Sequence, residues 1–493
     1  MTAAVTESTN PSRESILMAK QMETSGTMKE NRETCGDGAP ARLSRRAVLA
    51  TTGATLTGLL AGGGTSRAEV AREPDEGESR GVEALTQRLN PQVEAGRQAA
   101  LKLLKPTAKE LERGLRLHAE SLVFDAYGFS PRAAVDGDAL AKALEAGASD
   151  MEMQDLREEM TMTRTATDPV EQQEYRDAWR VSGVTCIFQN AGEEGQDPLR
   201  LIKRLARFTY ATDLLRGIVS KAAVPAEIEE AKRQRRHCLY LTGNGVPLTQ
   251  AWVSIPDELR YLSVFYQLGI RMMHLTYQRR NMIGDGCGET SNAGLSDFGR
   301  AVIAEMNRVG VIPDCAHSGW QTSLEAAQVS DRPVVASHTV CAALDGNPHA
   351  RSKPDKVIRA IADTGGLVGI CCIPQFLRGS GDLNMLLNHI QYVVDKFGAD
   401  HVAIGTDIAY TSQNSATESR KVPGGRRARA EFRSLWPADT FKTTAEMSAS
   451  LQWTNWPLYT VGLVQRGLSD EVIRKIIGGN MLRVARESFG PAG

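Results

Sequence analysis

Eight short apolar runs, with amphipathic helical patterns between them, constrain the fold more than any other feature of the sequence. They are "SLVFDAYG" from Ser121, "SGVTCIF" from Ser182, "HCLYLTG" from His237, "GIRMMHLT" from Gly269, "VGVIPDCA" from Val309, "PVVAS" from Pro333, "GLVGICC" from Gly366 and "HVAIGTD" from His401. Runs that are apolar almost throughout, without strict alternation, suit strands buried on both faces, as in a parallel sheet. The intervening "DPLRLIKRLARFTYATDLL", "SDFGRAVIAEMNRVG" and "NMLLNHIQYVVDKFG" repeat their apolar residues at three and four positions, which predicts helices with one buried face. Such repeated strand–helix units predict a (β/α)8 barrel of TIM type, with a doubly wound open sheet as the alternative.

In such a barrel, polar residues at the C-terminal ends of strands build the site. Two successive runs end in histidine, at His317 and His338. Two imidazoles on one face suit a metal ion with an open position for water, or else a pair of hydrogen-bonded core histidines.

Composition sets limits on the rest. The 493 residues are 41% hydrophobic and 24% charged with a formal net charge of -1, an ordinary balance for a globular chain with a large core. The arginine clusters "RQRRH" and "GGRRARAEFR" lack interleaved aromatics, so nothing points to nucleic acid. The 8 cysteines show no CxxC spacing, and Cys186, Cys238, Cys315, Cys371 and Cys372 fall inside apolar runs as small buried hydrophobes.

The N-terminal part reads differently. Residues 1–43 are polar and aperiodic, a disordered leader. Residues 44–71 carry Arg45 and Arg46 ahead of a short apolar run and a small-residue cleavage pattern near Ser66 and Ala68, like a twin-arginine export signal. The expectation is export in folded form to an extracytoplasmic or periplasmic location, with a mature start near Glu69 and no transmembrane span. Residues 72–115 form a helical or loose lead-in, and the barrel covers 116–490. Two stretches break the alternation, about 131–176 and 410–450; both leave strand C-termini, which predicts lids over the site. The tail "GLSDEVIRKIIGGNMLRVAR" predicts a closing helix with Ser469 as N-cap and Gly478 and Gly479 as its stop.

The segments "YLSVFYQLGIR", "LSDFGRAVIAEMNRVGVIPDCAHS", "RPVVASHT", "IRAIADTGGLVGI", "NHIQYVVDKFGADHVAIGTD" and "GLSDEVIRKIIGGNMLRV" resemble the membrane (renal) dipeptidase family, collinearly from about Leu122 to Arg486. The resemblance implies a metallo-dependent hydrolase barrel that cleaves dipeptides with two zinc ions at its mouth. It implies metal ligation by His317 and His338, a proton-handling or amine-binding role for Asp407, and recognition of the substrate carboxylate by Arg351. The family's first-strand His-x-Asp pair falls on Tyr127 and Phe129, its bridging glutamate on Asn244, and its oxyanion-stabilising histidine on Tyr277. A phenylalanine cannot bind zinc and a neutral amide bridges two dications poorly, so one zinc ion at most, or none, is expected, held by His317 and His338 with Asp407 or another carboxylate as the third ligand. Tyr277 then donates to the oxyanion in place of imidazole, and Tyr127 and Asn244 join the substrate-binding wall. The resemblance thus implies a metal-assisted hydrolase of small peptide-like substrates and leaves a homodimer open. Two alternatives stay open: an extracytoplasmic enzyme that modifies a peptide-derived compound without hydrolysis, and a catalytically dead binding barrel.

Overall fold

The computed structural model describes residues 82–192, 197–346, 348–424 and 439–490. The leader and the twin-arginine-type segment lie outside the described residues. The eight runs form β1 (Phe124–Gly128), β2 (Cys186–Asn190), β3 (His237–Gly243), β4 (Ile270–His274), β5 (Ile312–Asp314), β6 (Val335–Cys341), β7 (Leu367–Ile370) and β8 (Val402–Ile404). Each pairs in parallel with the next in chain order. Past the strand ends, the Asp407 N–H donates to Tyr127 O (3.0 Å) and the Phe129 N–H to Ile408 O (3.3 Å), which brings the last strand back to the first. The sheet is therefore a nearly closed barrel and not an open one. Two short strands lie off this path: Val219–Ala222 beside β3 and Ser352–Lys353 beside β6.

Every residue of the eight strands is buried, which is why the runs lack the alternation of a half-exposed sheet. One interior cluster takes a side chain from each strand: Phe124, Phe188, Tyr240, Met272, Ile312, Val335, Leu367 and Ala403. Phe124 stacks on Phe188 at 5.4 Å between centroids, and Phe188 meets Tyr240 at 5.0 Å. The bulk on β1 to β3 is matched by glycine on the opposite side. A Cβ on Gly369 or Gly405 would lie 1.9 Å from Ser337 O.

The lead-in contributes to the packed structure. Its helix Ala108–Glu120 opens with a capping box between Thr107 and Glu110. It crosses the helix Trp456–Gln465 closely: a Cβ on Gly114 would come within 2.6 Å of Val461 Cγ2. His118 on this helix is buried between Thr460 Oγ1 and Ser182 O, at 2.8 Å from each.

The stretch after β1 is helical, as its pattern predicts. The helix Asp150–Thr167 starts with a Ser149–Glu152 capping box, and Asp168 with Pro169 opens the next helix, Pro169–Ser182. Asp155 and Glu158 of the first helix pair with Arg200, Lys203 and Arg207 of the helix Pro198–Leu214. That row of ion pairs pins the insertion to the barrel.

The tail requires a correction. Ser469 caps the helix Asp470–Arg474 as expected, but Gly478 and Gly479 do not stop it. The chain continues through a π-helical turn, Lys475–Gly479, into the helix Asn480–Ser488. A Cβ on Gly478 would lie 2.2 Å from Leu122 O, so this glycine permits a close approach to the foot of β1 and does not terminate a helix.

Candidate active site

A cavity of about 680 Å³ opens at the C-terminal mouth of the barrel. Tyr127, Asn244, Tyr277, His317 and Asp407 all line it, so residues from the ends of five different strands converge there. The helix Asp150–Thr167 supplies part of its outer wall through Gln154, Arg157, Glu158, Thr161, Met162 and Thr165. From the 410–450 stretch Thr411 reaches the wall; residues 425–438 of that stretch lie outside the described residues.

The side chains interlock through aromatic faces and short hydrogen bonds. Tyr127 donates its hydroxyl to Asn244 Oδ1 at 2.6 Å, and its ring stacks on His338 with centroids 3.8 Å apart. Tyr277 stacks on His317 at 4.1 Å. His317 Nε2 and His338 Nε2 are 3.0 Å apart, and both rings are buried. Burial, reinforced by the Arg351 guanidinium, holds both imidazoles well below their ordinary pKa, so both are neutral. Asp407 has φ +58 in the left-handed region, unusual for a residue with a side chain, and its backbone N–H is tied to Tyr127 O.

Behind the cavity lies a further layer of buried polar groups. His338 Nδ1 is 2.8 Å from Ser337 Oγ, which donates to Asp314 Oδ2; Asp314 Oδ1 accepts the backbone N–H groups of Ala316 (2.9 Å) and Ser337 (3.0 Å). Burial opposes ionisation of Asp314, but His274 and the bonds from Ser337 outweigh it and hold the carboxyl below its ordinary range. His274 Nε2 lies 2.8 Å from Asp314 Oδ2, and Nδ1 of this wholly buried ring has no hydrogen-bond partner. His274, Asp314 and His338 place ligand atoms within 4.8 Å of one another.

Sequence reasoning missed His274 and Asp314. Both lie at strand ends, like His317 and His338, but in sequence each reads as part of its apolar run. Arg351 is placed differently from the expectation. It is fully buried, donates from Nη2 to His338 O at 2.9 Å, and does not line the cavity; its Nε and Nη1 have no hydrogen-bond partner. Asp407 stands on the cavity wall and outside the three-donor cluster.

The family's two-ion arrangement does not fit these residues. Tyr127 covers a face of His338 with an aromatic ring that cannot ligate through that face, and its partner Asn244 brings no charge. One ion does fit the donor chemistry of His338, His274 and Asp314: two imidazoles and a carboxylate, with Nδ1 of His274 otherwise unsatisfied.

A nearly closed (β/α)8 barrel with this mouth belongs to the metallo-dependent hydrolase class. Residues 112–418 match the membrane dipeptidase family, peptidase family M19, and the chain belongs to that family. Dipeptidase verJ of Clonostachys rogersoniana is 30% identical over 236 residues, which are 46% of this chain and 50% of that protein. The chain thus spans about half the length of this curated relative. The amidohydrolase from Pseudomonas aeruginosa superposes with a TM-score of 0.54 at 25% identity, covering 76% of this chain and 99% of that one. A metallo peptidase from Rhodobacter sphaeroides, solved with a phosphinate mimic of the dipeptide L-Ala-D-Ala, shares the fold at a TM-score of 0.50 and 16% identity, over 75% of this chain and 100% of that one.

Proposed function

We propose that the chain is a dipeptidase-type hydrolase of small peptide-like substrates that works with at most one metal ion. The observation that carries this reading is the convergence of Tyr127, Asn244, Tyr277, His317 and Asp407 on one cavity at the strand C-termini. Asp407 is the one cavity carboxylate from a barrel strand end, and it takes the substrate amine or the proton of an attacking water. Tyr277 donates its phenol hydrogen to the developing oxyanion, oriented by its stack on His317. Tyr127 and Asn244 form a neutral hydrogen-bonded wall opposite.

His338, His274 and Asp314 would hold the ion, which zinc suits by its preference for nitrogen and carboxylate donors, and which would supply Lewis-acid assistance. Asp314 is the single carboxylate of that cluster, while Arg351 and Lys353 place buried positive charge nearby. That balance limits the site to one dication and weakens its hold.

The test is a panel of dipeptides incubated with the purified chain, with and without added zinc or manganese, beside elemental analysis. The reading expects hydrolysis, no more than one ion per chain, and loss of that ion in His274→Leu. Absence of hydrolysis under every metal condition would sink it and favour a non-hydrolytic enzyme or a binding barrel, which the Tyr127 ring packed on His338 would suit. Two tightly held ions would overturn the ligand assignment.

A further inference from the structure

The cavity wall carries a charge arrangement that the mechanism above does not use. Three arginines line it, Arg132, Arg157 and Arg204, against two carboxylates, Glu158 and Asp407. Glu158 is shared by Arg200 at 2.6 Å, Arg204 at 3.5 Å and Arg207 at 3.6 Å, so it is neutralised within the wall. Arg204 is further occupied by its Nε bond to Ala191 O (3.0 Å), and Arg132 lies over the Phe129 ring at 4.6 Å. Arg157 is half-buried and makes no ion pair or hydrogen bond among the described residues.

We propose that Arg157 of the insertion helix, and not Arg351, recognises the carboxylate of the substrate. The substrate class is then small peptides with both termini free, held with the amine toward Asp407 and the carboxylate toward Arg157. This rests on the reading of Asp407 as the amine-side or proton-handling group. Arg351 has zero exposure and stands behind His338, so a ligand in the cavity meets Arg157 first. A guanidinium left unpaired in a partly enclosed wall is matched by a planar carboxylate, which accepts two parallel N–H bonds. The volume of about 680 Å³ and the apolar patches of Phe129, Met162, Phe208 and Leu239 leave room for bulky side chains on such a peptide.

Equilibrium binding separates this inference from the question of hydrolysis. Titration calorimetry on the full chain would compare an uncleavable L-Leu-L-Leu analogue, with CH2–NH in place of the peptide bond, with its C-terminal amide, in the wild type and in Arg157→Gln, Arg157→Lys and Arg351→Gln. The expected result is a preference of tenfold or more for the free acid in the wild type, abolished in Arg157→Gln, partly kept in Arg157→Lys and retained in Arg351→Gln. If Arg351→Gln does not fold, the three remaining proteins still decide the matter. The proposal is overturned if the wild type binds neither peptide or shows no preference, or if Arg157→Gln keeps the preference. Binding with an Arg157-dependent preference but no cleavage in the dipeptide panel would remove the hydrolase reading and leave the carboxylate site standing.

Discussion

Tyr127 shows how much one residue at a strand end can change. It fills space against His338 with its ring and fixes Asn244 with its hydroxyl, two neutral contacts at a place where the family resemblance implies metal ligands. Tyr127→Phe keeps the stack and removes one buried hydrogen bond, which leaves Asn244 Oδ1 unsatisfied. The expected cost is about 1–3 kcal/mol of stability, read by urea denaturation. Asp407→Asn is isosteric and removes only charge. If the carboxylate handles the amine or a proton, kcat should fall by about 100-fold or more with the thermal midpoint nearly unchanged. An unaltered rate would take Asp407 out of the chemistry.

Among the elements, the strands β6 to β8 depend on glycine for a reason no propensity scale contains. Gly369 and Gly405 both face Ser337 O, and an added methyl would have to displace backbone. Gly405→Ala should therefore destabilise the barrel by about 3 kcal/mol or more, because overpacking here cannot be relieved by a rotamer change; a chemical-denaturation midpoint within error of the wild type would contradict this. The strands themselves were legible, since apolar runs buried on both faces look alike in sequence and in the barrel. The strand Val219–Ala222, with Lys221 and Ser220 in it, carries too little apolar signal to be read that way. The Gly478, Gly479 pair misled for a related reason: glycine marks either a helix end or a close approach, and only the position of Leu122 decides which. At the site, the ends of apolar runs pointed to His317 and His338, and the family resemblance to Asp407. His274 and Asp314 escaped because their pairing depends on the register that brings β4 beside β5, which no local pattern reports.

At the scale of the whole molecule, several buried imidazoles make stability depend on pH. Burial pushes His118 down to about 3, and His349 and His389 to about 4. Free imidazole titrates near 6.5, so between that value and about 4 the unfolded chain binds more protons, and stability is lost as pH falls through this window. Asp125, raised to about 7 by burial despite its bonds from Thr406, acts oppositely: the folded state binds the extra proton, so its contribution is lost as pH rises from about 4 to 7. Three imidazoles outweigh one carboxyl. Calorimetry should show the melting temperature falling from pH 6.5 to 4, with a shallower slope in His118→Gln; a flat profile in the wild type would count against buried neutral histidines. No helix among the described residues is long and apolar enough to cross a membrane.

The ion pairs between the helices Asp150–Thr167 and Pro198–Leu214 carry a further consequence. The groups assigned to chemistry come from strand ends scattered over almost the whole barrel, whereas much of the cavity's outer wall comes from one contiguous segment between β1 and β2. That segment is fastened by those charges, by the packing of Met162 and Tyr175 on the core, and by Glu171 and Glu174, which accept hydrogen bonds from Ser412 and Gln413, and it remains one contiguous stretch of chain. Selectivity can drift by altering one stretch of chain while the barrel beneath keeps its register, and a laboratory graft of residues 131–176 is the natural unit for redirecting what the cavity accepts.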